Sequence, residues 1–366
     1  MKISFIHTGD IHLGRQFHFK GGDPELGERR RMELWKTFDK IIQTAEKNHI
    51  HYLIISGDLF DSLETDIKLL KMVSERLSRL TVSKVIICPG NHDYYSPASL
   101  YGLVAWPENV TIFKSGKMED VYFEDTQTHI YGLGWTRDTY KQMPFNAGHL
   151  PVQETDNNIL VLHGDAFNVQ SPFMPIDLSP FDYFDYVALG HIHKGTFLNK
   201  RAAYCGCPEP LSFKDGGDCG IVVGQIDRHH LQTQNVLTQK RRFITRIIGV
   251  EPGMTMDDLR RICTGVDKEP ARMRHFYRLK LEGYHNVDLS LEWLQEELSH
   301  LFYYLELDGN ALEPDLDIDR LLEENADNII GRFIQEMRRN GTDPVAKKAL
   351  YYGVEGLLQH GGNHEN

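Results

Sequence analysis

The first 90 residues predict a layered α/β domain with parallel strand pairing, and two observations carry that prediction. Three short apolar runs, Ile3–Ile6, Tyr52–Ile55 and Val85–Ile87, alternate with two segments of helical periodicity. Each run then stops at a polar turn, where a strand would leave the sheet at its carboxyl end, the edge at which such sheets bind ligands.

The first run empties into His7-Thr8-Gly9-Asp10-Ile11-His12-Leu13-Gly14. Asp10 and His12, two residues apart, project to one side of an extended chain and can reach a common ion. A loop to Gly22 carries Arg15, His18 and Lys20, and a helix follows with Leu34/Trp35, Phe38, Ile41/Ile42 and Ala45 on one face. Arg29-Arg30-Arg31 near its start fits a solvated helix face better than a phosphate contact. The second run ends in Ser56-Gly57-Asp58-Leu59-Phe60-Asp61, and a helix from about Asp66 to Leu80 leads to the third. There Pro89-Gly90 stops the strand and Asn91-His92-Asp93 fills the turn.

Further strands are expected at Val110–Phe113, His129–Leu133 and Ile159–Leu162, the last running into His163-Gly164-Asp165. After a loop rich in proline and aromatics, Tyr186–Leu189 leads to Gly190-His191-Ile192-His193, a second pair at i and i+2. Residues 196–238, with Ile221-Val222-Val223, read as strands completing a second sheet. Ile244–Leu281 has the order strand, helix, strand, with the helix at about Met256–Cys263. Beyond it the pattern reads as helical: Leu289–Glu306, then Asp319–Arg338 with Leu322, Ala326, Ile329/Ile330, Phe333 and Met337 on one stripe. A last helix opens on Asp343-Pro344 and turns Ala346, Leu350, Val354 and Leu357 to one side.

A length of 366 residues suggests two or three domains, and 41% hydrophobic residues suffice for a proper core. The expected division is a layered α/β domain over 1–240, a small basic subdomain over 241–285 and an acidic helical region over 286–366. No run approaches the roughly 18 to 20 apolar residues of a membrane span, and His7 and Asp10 interrupt the N-terminus too early for a signal peptide. Five cysteines without a regular framework suit reduced thiols in a cytoplasm. The net charge of −12 argues against a polyanionic partner only until it is located. Residues 288–330 hold 13 acids against Arg320 alone, whereas residues 240–280 carry 11 bases against 5 acids and can neutralise phosphates.

Five strand ends thus offer Asp10, His12, Asp58, Asn91, His163, His191 and His193. Oxygen and imidazole donors without thiolate suit Mn²⁺, Fe or Zn²⁺ better than a structural zinc site. Seven donors are too many for one ion and enough for two if one carboxylate bridges. Two divalent ions against two aspartates leave a site of about +2, suited to phosphate, and can activate a water as hydroxide for in-line attack. His92, beside a ligand without having to be one, can stabilise the transition state or protonate the leaving oxygen.

The order Asp-x-His, Gly-Asp-x-x-Asp, Gly-Asn-His-Asp, His, Gly-His-x-His resembles the calcineurin-like metallophosphoesterase superfamily. The opening motif, Gly57–Asp61 and Gly206-Cys207-Pro208-Glu209-Pro210-Leu211-Ser212-Phe213 are more narrowly similar to its SbcD-type DNA repair exonuclease branch, the YhaO proteins of Gram-positive bacteria in particular. The resemblance implies a four-layer αββα sandwich with a small α/β cap. It implies one metal on Asp10, His12, Asp58 and His193, a second on Asp58, Asn91, His163 and His191, and His92 as the catalytic histidine. Asp61, where some relatives carry a histidine, joins His92 as a catalytic candidate, and Cys207 stands where many carry serine. Also implied are two divalent ions per chain, Mn²⁺ foremost with Fe, Zn²⁺ or Mg²⁺ as substitutes, homodimerisation, and an SbcC-like coiled-coil ATPase on the C-terminal helices. The expected activity is metal-dependent hydrolysis of DNA phosphodiesters, as an exonuclease or end-processing nuclease, with Arg15, Lys20, Arg241, Arg242, Arg272 and Arg274 as candidate DNA contacts. The same seven donors would equally serve a phosphatase or phosphodiesterase for nucleotides or other small phosphoesters.

Overall fold

The computed structural model describes all residues except 22, 97–99, 146–149, 151, 286–289, 342 and 362–366. The chain divides into two compact units, Met1–Arg242 and Phe243–Asn366.

The first unit begins with β1 (Ile3–Thr8), α1 (Pro24–Lys47), β2 (Tyr52–Ile55), α2 (Ile67–Leu77), β3 (Lys84–Ile87) and β4 (Val110–Ile112). It continues with β5 (Glu119–Phe123), β6 (Thr128–Gly132), β7 (Asn157–His163) and β8 (Tyr186–Gly190). The short β9 (Thr196–Phe197) and β10 (Ala202–Tyr204) precede the hairpin β11 (Gly220–Asp227) and β12 (His230–Leu237). Two six-stranded sheets result, ordered β12-β11-β1-β2-β3-β4 and β5-β6-β7-β8-β10-β9. β1 to β4 run parallel, as do β6, β7, β8 and β10, so their carboxyl ends lie along shared edges. One expectation is corrected here. Ile221-Val222-Val223 does not complete the second sheet but pairs antiparallel to β1 in the first, a choice that periodicity cannot make because both sheets accept the same apolar strand.

Alternation sets the layers. Ile3, Phe5, Tyr52, Ile54 and Ile86 of the first sheet meet Ile159, Val161, Tyr186 and Ala188 of the second in one core, where the rings of Phe5 and Tyr186 lie 4.6 Å apart. The opposite residues, Ile6, Leu53, Ile55, Val85 and Ile87, pack under Leu34, Phe38 and Ile41 of α1 and Leu70, Val73 and Leu77 of α2. On the outer side of the second sheet, Leu160, Leu162, Val187 and Leu189 are covered by loop residues including Trp135, Met174 and Phe184 and by the 3-10 turn Ser179–Phe181. Asp23 caps α1, accepting from the amides of Glu25 and Leu26, with Pro24 at the first position.

The basic run on α1 is neither solvated as a whole nor open to a phosphate. Arg30 is fully buried and its Nη1 donates to Glu33 (2.6 Å) and Glu209 (2.9 Å). Such a charge cluster is held in place by mutual pairing, since removing one partner would strand the others.

The second unit comprises β13 (Phe243–Val250), α3 (Met256–Thr264), α4 (Glu269–Arg272), β14 (Phe276–His285), α5 (Leu291–Ser299), β15 (Tyr304–Pro314), α6 (Ile318–Glu324), α7 (Ile329–Asn340) and α8 (Pro344–Gly361). Its three strands form a parallel sheet, β13-β14-β15. The reading of everything beyond the cap as helical is therefore corrected at residues 304–314. Leu305, Leu307 and Leu312 face the core from β15. Leu305-Glu306-Leu307-Asp308 is a period-two pattern that the surrounding acids disguise as a solvated helix. The expected long helix over Asp319–Arg338 is two, because Asn328 caps a new start by accepting from Ile330 and Gly331 amides. The start expected at Leu289 and the expected cap boundary near 285 fall at residues 286–289, outside the described residues. No helix of the described residues is long and apolar enough to cross a membrane.

Candidate metal centre

The carboxyl ends of β1, β2, β3, β7 and β8 bring the predicted donors together. Asp10, His12, Asp58 and His191 all adopt positive φ, 48°, 52°, 49° and 99°, a region that side chains other than glycine's enter only when the surroundings enforce it. The enforcement is visible: Asp10 N donates to Gly57 O (3.0 Å), and Ile11 N and His12 N both donate to Asp58 O (2.9 and 3.0 Å). Two glycines clear the floor. A Cβ on Gly90 would lie 2.2 Å from Asp58 Oδ1, and one on Gly57 would lie 2.1 Å from His163 Nδ1.

Hydrogen bonds assign the imidazole tautomers, because carbonyls and carboxylates can only accept. His163 Nδ1 donates to Ser56 O (2.9 Å), which leaves the lone pair on Nε2. That lone pair lies 3.0 Å from Asn91 Oδ1 and 3.6 Å from Asp58 Oδ2, both acceptors. His12 Nδ1 lies 3.0 Å from Asp61 Oδ1, so its Nε2, buried and without a hydrogen-bond partner, points its lone pair into the site 3.7 Å from Asp58 Oδ2. His191 Nδ1 is 3.3 Å from Asn91 Oδ1, and its amide donates to both oxygens of Asp10 (3.0 and 3.1 Å). Two imidazole lone pairs turned toward one carboxylate are what a cation requires, and the chemistry of the set fits a divalent metal. Asp10, His12 and His193 form one metal-capable group; Asp10, Asp58 and His163 form another.

Burial pushes the Asp10 carboxyl up, against the pull of His193 and His163. Burial also opposes ionisation of Asp58, but His163 and His12 beside it hold it below the ordinary carboxylate range. Burial lowers His191 to about 4, helped by His163. At His193 burial favours the neutral ring, yet the bond to Asp215 and the charge of Asp10 raise it to about 9.

His92 is exposed at the rim, its ring 4.8 Å from that of His12, and its Nδ1 donates to Asp61 O (2.8 Å). Asp61 joins His12 and His92 in a third metal-capable group. Its Oδ1 takes His12 Nδ1 and Arg15 Nη1 (3.1 Å), contacts that fix the direction of the His12 ring. The expectation for Arg241 is corrected: its Nε donates to Glu33 (2.8 and 3.0 Å) and its side chain is only 12% exposed, which places it in the buried network with Arg30 and Glu209. Arg15 is half-buried over the Phe17 ring, Lys20 and Arg274 are exposed, Arg242 pairs with Asp218, and Arg272 lies over the Phe302 ring.

Three supporting residues escaped the motif reading. Asp93 is fully buried, accepting from Gly90 N (2.7 Å), Leu59 N (2.8 Å) and Tyr101 OH (2.6 Å), and so ties the β2 and β3 turns together. His7, between Tyr186 OH (2.8 Å) and Ser56 Oγ (3.0 Å), is a core histidine that burial lowers to about 3. Asp215 Oδ1 lies 3.0 Å from His193 Nδ1. Asp93 and His7 had a signal, as the last residue of Gly90-Asn91-His92-Asp93 and the first of the opening motif; Asp215 had none.

Residues 3–195, more than half of the chain, match the calcineurin-like phosphoesterase family. The chain belongs to that family. This phosphoesterase is 29% identical over 260 residues to YhaO of Bacillus subtilis (strain 168), an uncharacterized metallophosphoesterase, covering 65% of this chain and 62% of that protein. One component of the nuclease SbcCD from Escherichia coli (strain K12) is 24% identical over 262 residues, 59% of this chain and 62% of that one. The DNA double-strand break repair protein Mre11 of Methanopyrus kandleri is 23% identical over 248 residues, 59% and 51% respectively. The match thus spans between half and two thirds of the length of these relatives.

Proposed function

We propose that this phosphoesterase hydrolyses phosphodiester bonds of DNA, as an exonuclease or end-processing nuclease in repair, at a centre holding two divalent ions, Mn²⁺ by preference. The observation that carries the metal reading is the convergence of His12 Nε2 and His163 Nε2 on Asp58 Oδ2, at 3.7 and 3.6 Å, with Asn91 Oδ1 beside them and no hydrogen-bond partner for His12 Nε2. Asp10, His12, Asp58 and His193 would hold one ion, and Asp58, Asn91, His163 and His191 the other. Bound there, such ions lower the pKa of water and neutralise phosphoryl oxygens. The chain's own part is orientation: Asp61 turns His12, Ser56 O turns His163, and the Asp58 oxygen that accepts His92 N (3.0 Å) ties the catalytic turn to the donor set. With Nδ1 donated to Asp61 O, His92 has Nε2 left to hold the proton that a leaving oxygen takes.

DNA as substrate is supported by the nuclease and break-repair names among the relatives and by the basic stretch 240–280. In the same reading the second unit serves as cap and as the seat of an SbcC-like ATPase, the chain works as a homodimer, and the compartment is the cytoplasm. The second reading, hydrolysis of small phosphoesters, draws on one observation that weighs against a polyanion. A cavity of about 520 Å³ beside Asp61 is lined by Glu28, Glu64 and Asp66 with Arg31 its one base, an acidic wall unsuited to a polyanion. The test is incubation of the full chain with labelled linear and hairpin DNA, and with chromogenic phosphomonoesters and diesters, in Mn²⁺, Mg²⁺ or EDTA. Metal-dependent shortening of DNA is the expected result; cleavage of monoesters alone would establish the second reading.

A further inference from the structure

His193 is held at two points by one segment that no metal-binding motif includes. Its carbonyl accepts from Cys207 N (2.9 Å), and its Nδ1 lies 3.0 Å from Asp215 Oδ1. The two oxygens of Asp215 have separate duties. Oδ2 accepts from Leu211 N (3.0 Å), Ser212 N (2.9 Å) and Ser212 Oγ (3.2 Å), which folds the 3-10 turn Phe213–Asp215, and Oδ1 is left for His193. The side chain is 8% exposed, so water does not compete for either oxygen. The segment is anchored further back as well: Glu209, fully buried, accepts from Arg30 Nη1 (2.9 Å), Thr37 Oγ1 (3.1 Å) and the amide of Lys240 (2.8 Å).

We infer that Asp215 is a positioning residue of the metal centre, one that fixes the tautomer and direction of His193 from a segment 22 residues away. The inference rests on the reading of His193 as a ligand. Once an incoming ion displaces the second ring proton, an Nδ1–H donated to Asp215 leaves the lone pair on Nε2, the atom that an ion beside Asp10 and His12 needs. Outer carboxylates of this kind raise the basicity of a ligating imidazole, and losing one costs roughly 10- to 100-fold in metal affinity. Asp61 does the same for His12 from within a motif; Asp215 does it from outside.

Asp215→Asn separates this role from folding of the turn. The amide oxygen can still accept from Leu211 N, Ser212 N and Ser212 Oγ, which turns the amide NH₂ toward His193. The ring must then accept at Nδ1, so its proton moves to Nε2 and blocks the ligand lone pair. Asp215→Ala removes the same charge but lets the ring choose its tautomer.

The test is titration of the full metal-free chain with Mn²⁺, following free ion by its magnetic resonance signal, with thermal melting in EDTA alongside. Wild type should bind two ions. Asp215→Asn should bind one of them roughly 10- to 100-fold more weakly and melt in EDTA as wild type does, whereas Asp215→Ala should lose less affinity but melt lower, having lost the acceptor of the turn. Hydrolysis of a chromogenic phosphodiester by Asp215→Asn should recover as Mn²⁺ is raised. Wild-type affinity for both ions in Asp215→Asn overturns the inference. Equal losses in the two variants would replace tautomer control by a plain charge effect, and lower melting of Asp215→Asn in EDTA without recovery by Mn²⁺ would make Asp215 a structural residue. A wild-type chain that bound no ion would overturn the metal-centre reading itself, whatever the variants did.

Discussion

The edge of the sheets in the first unit and the parallel sheet of the second obey different rules. At the edge, four donors sit at positive φ, a strain on the order of 1–3 kcal/mol each. Among the described residues of the second unit only glycines do so. There α3 opens with a capping box between Thr255 and Asp258, and β14 alternates Tyr277, Leu279 and Leu281 toward the core with Arg278 and Lys280 on the other face. Local preference and global fold agree in the second unit. At the edge they conflict, and carbonyls, carboxylates and glycines from five strand ends impose the result. Positive φ also occurs at His49, Gln127, Met174, Arg228 and His229, but at this edge it gathers on four converging candidate ligands, the mark of a functional site.

The comparison breaks most sharply at Asp58, the carboxylate shared between both proposed ion positions. Asp58→Ala should lose both ions, as measured by metal content after desalting, and all measurable phosphodiester hydrolysis. Retention of two ions per chain would mean that the strained edge has some other purpose. Next in size is His92, which sits at the rim without completing either donor set. His92→Ala should keep its ions and lower turnover roughly 10²- to 10⁴-fold, the scale of a removed acid–base group. A fall in metal content with activity would make it a ligand.

The second unit gives the converse. Leu279 is fully buried in its core, and Leu279→Ala should cost about 2–5 kcal/mol of that unit's stability, the range for a truncated core leucine. Denaturant melts should show an earlier transition, while hydrolysis of a small synthetic phosphodiester stays at the wild-type rate below it. Parallel loss of that activity would show that the second unit supports the metal centre.

Legibility in the sequence follows the same division. The donors were readable because each ends an apolar run with a glycine or a tight turn, and strand ends in parallel sheets share an edge whatever the strand order. Strand order itself was not readable, which is why β11 went to the wrong sheet. Residues that hold the donors were mostly hidden: Asp215 and Ser56 act through single hydrogen bonds across 22 and 107 positions, and no periodicity encodes those. β15 was missed because glutamate and aspartate between leucines suit a solvated helix as well as one face of a strand. Arg241 was misjudged because a charge count cannot tell a guanidinium facing solvent from one facing Glu33.

That last error yields the finest test, since two adjacent arginines should now behave differently. Arg242 pairs with Asp218 where both side chains are about half exposed, 45% and 59%, and a surface pair of this kind contributes about 0–1 kcal/mol. Arg241 is in the buried network with Glu33, whose carboxylate would be left underpaired without it. If the basic stretch tracks a phosphate backbone, DNA affinity falls with salt, and each neutralised phosphate adds about −0.9 to the slope of log K against log salt for a duplex. Replacing Arg242 and Arg274 by glutamine should flatten that slope by up to about 1.8, two phosphates' worth, with the thermal midpoint unchanged. Arg241→Gln should lower the midpoint and leave the slope alone. Both quantities come from the same protein samples, by binding titrations over a salt series and by thermal melting. A slope altered by Arg241→Gln but untouched in the Arg242 and Arg274 variant would reverse the assignment, and a chain with no salt-dependent DNA binding at all would move the substrate to small phosphoesters.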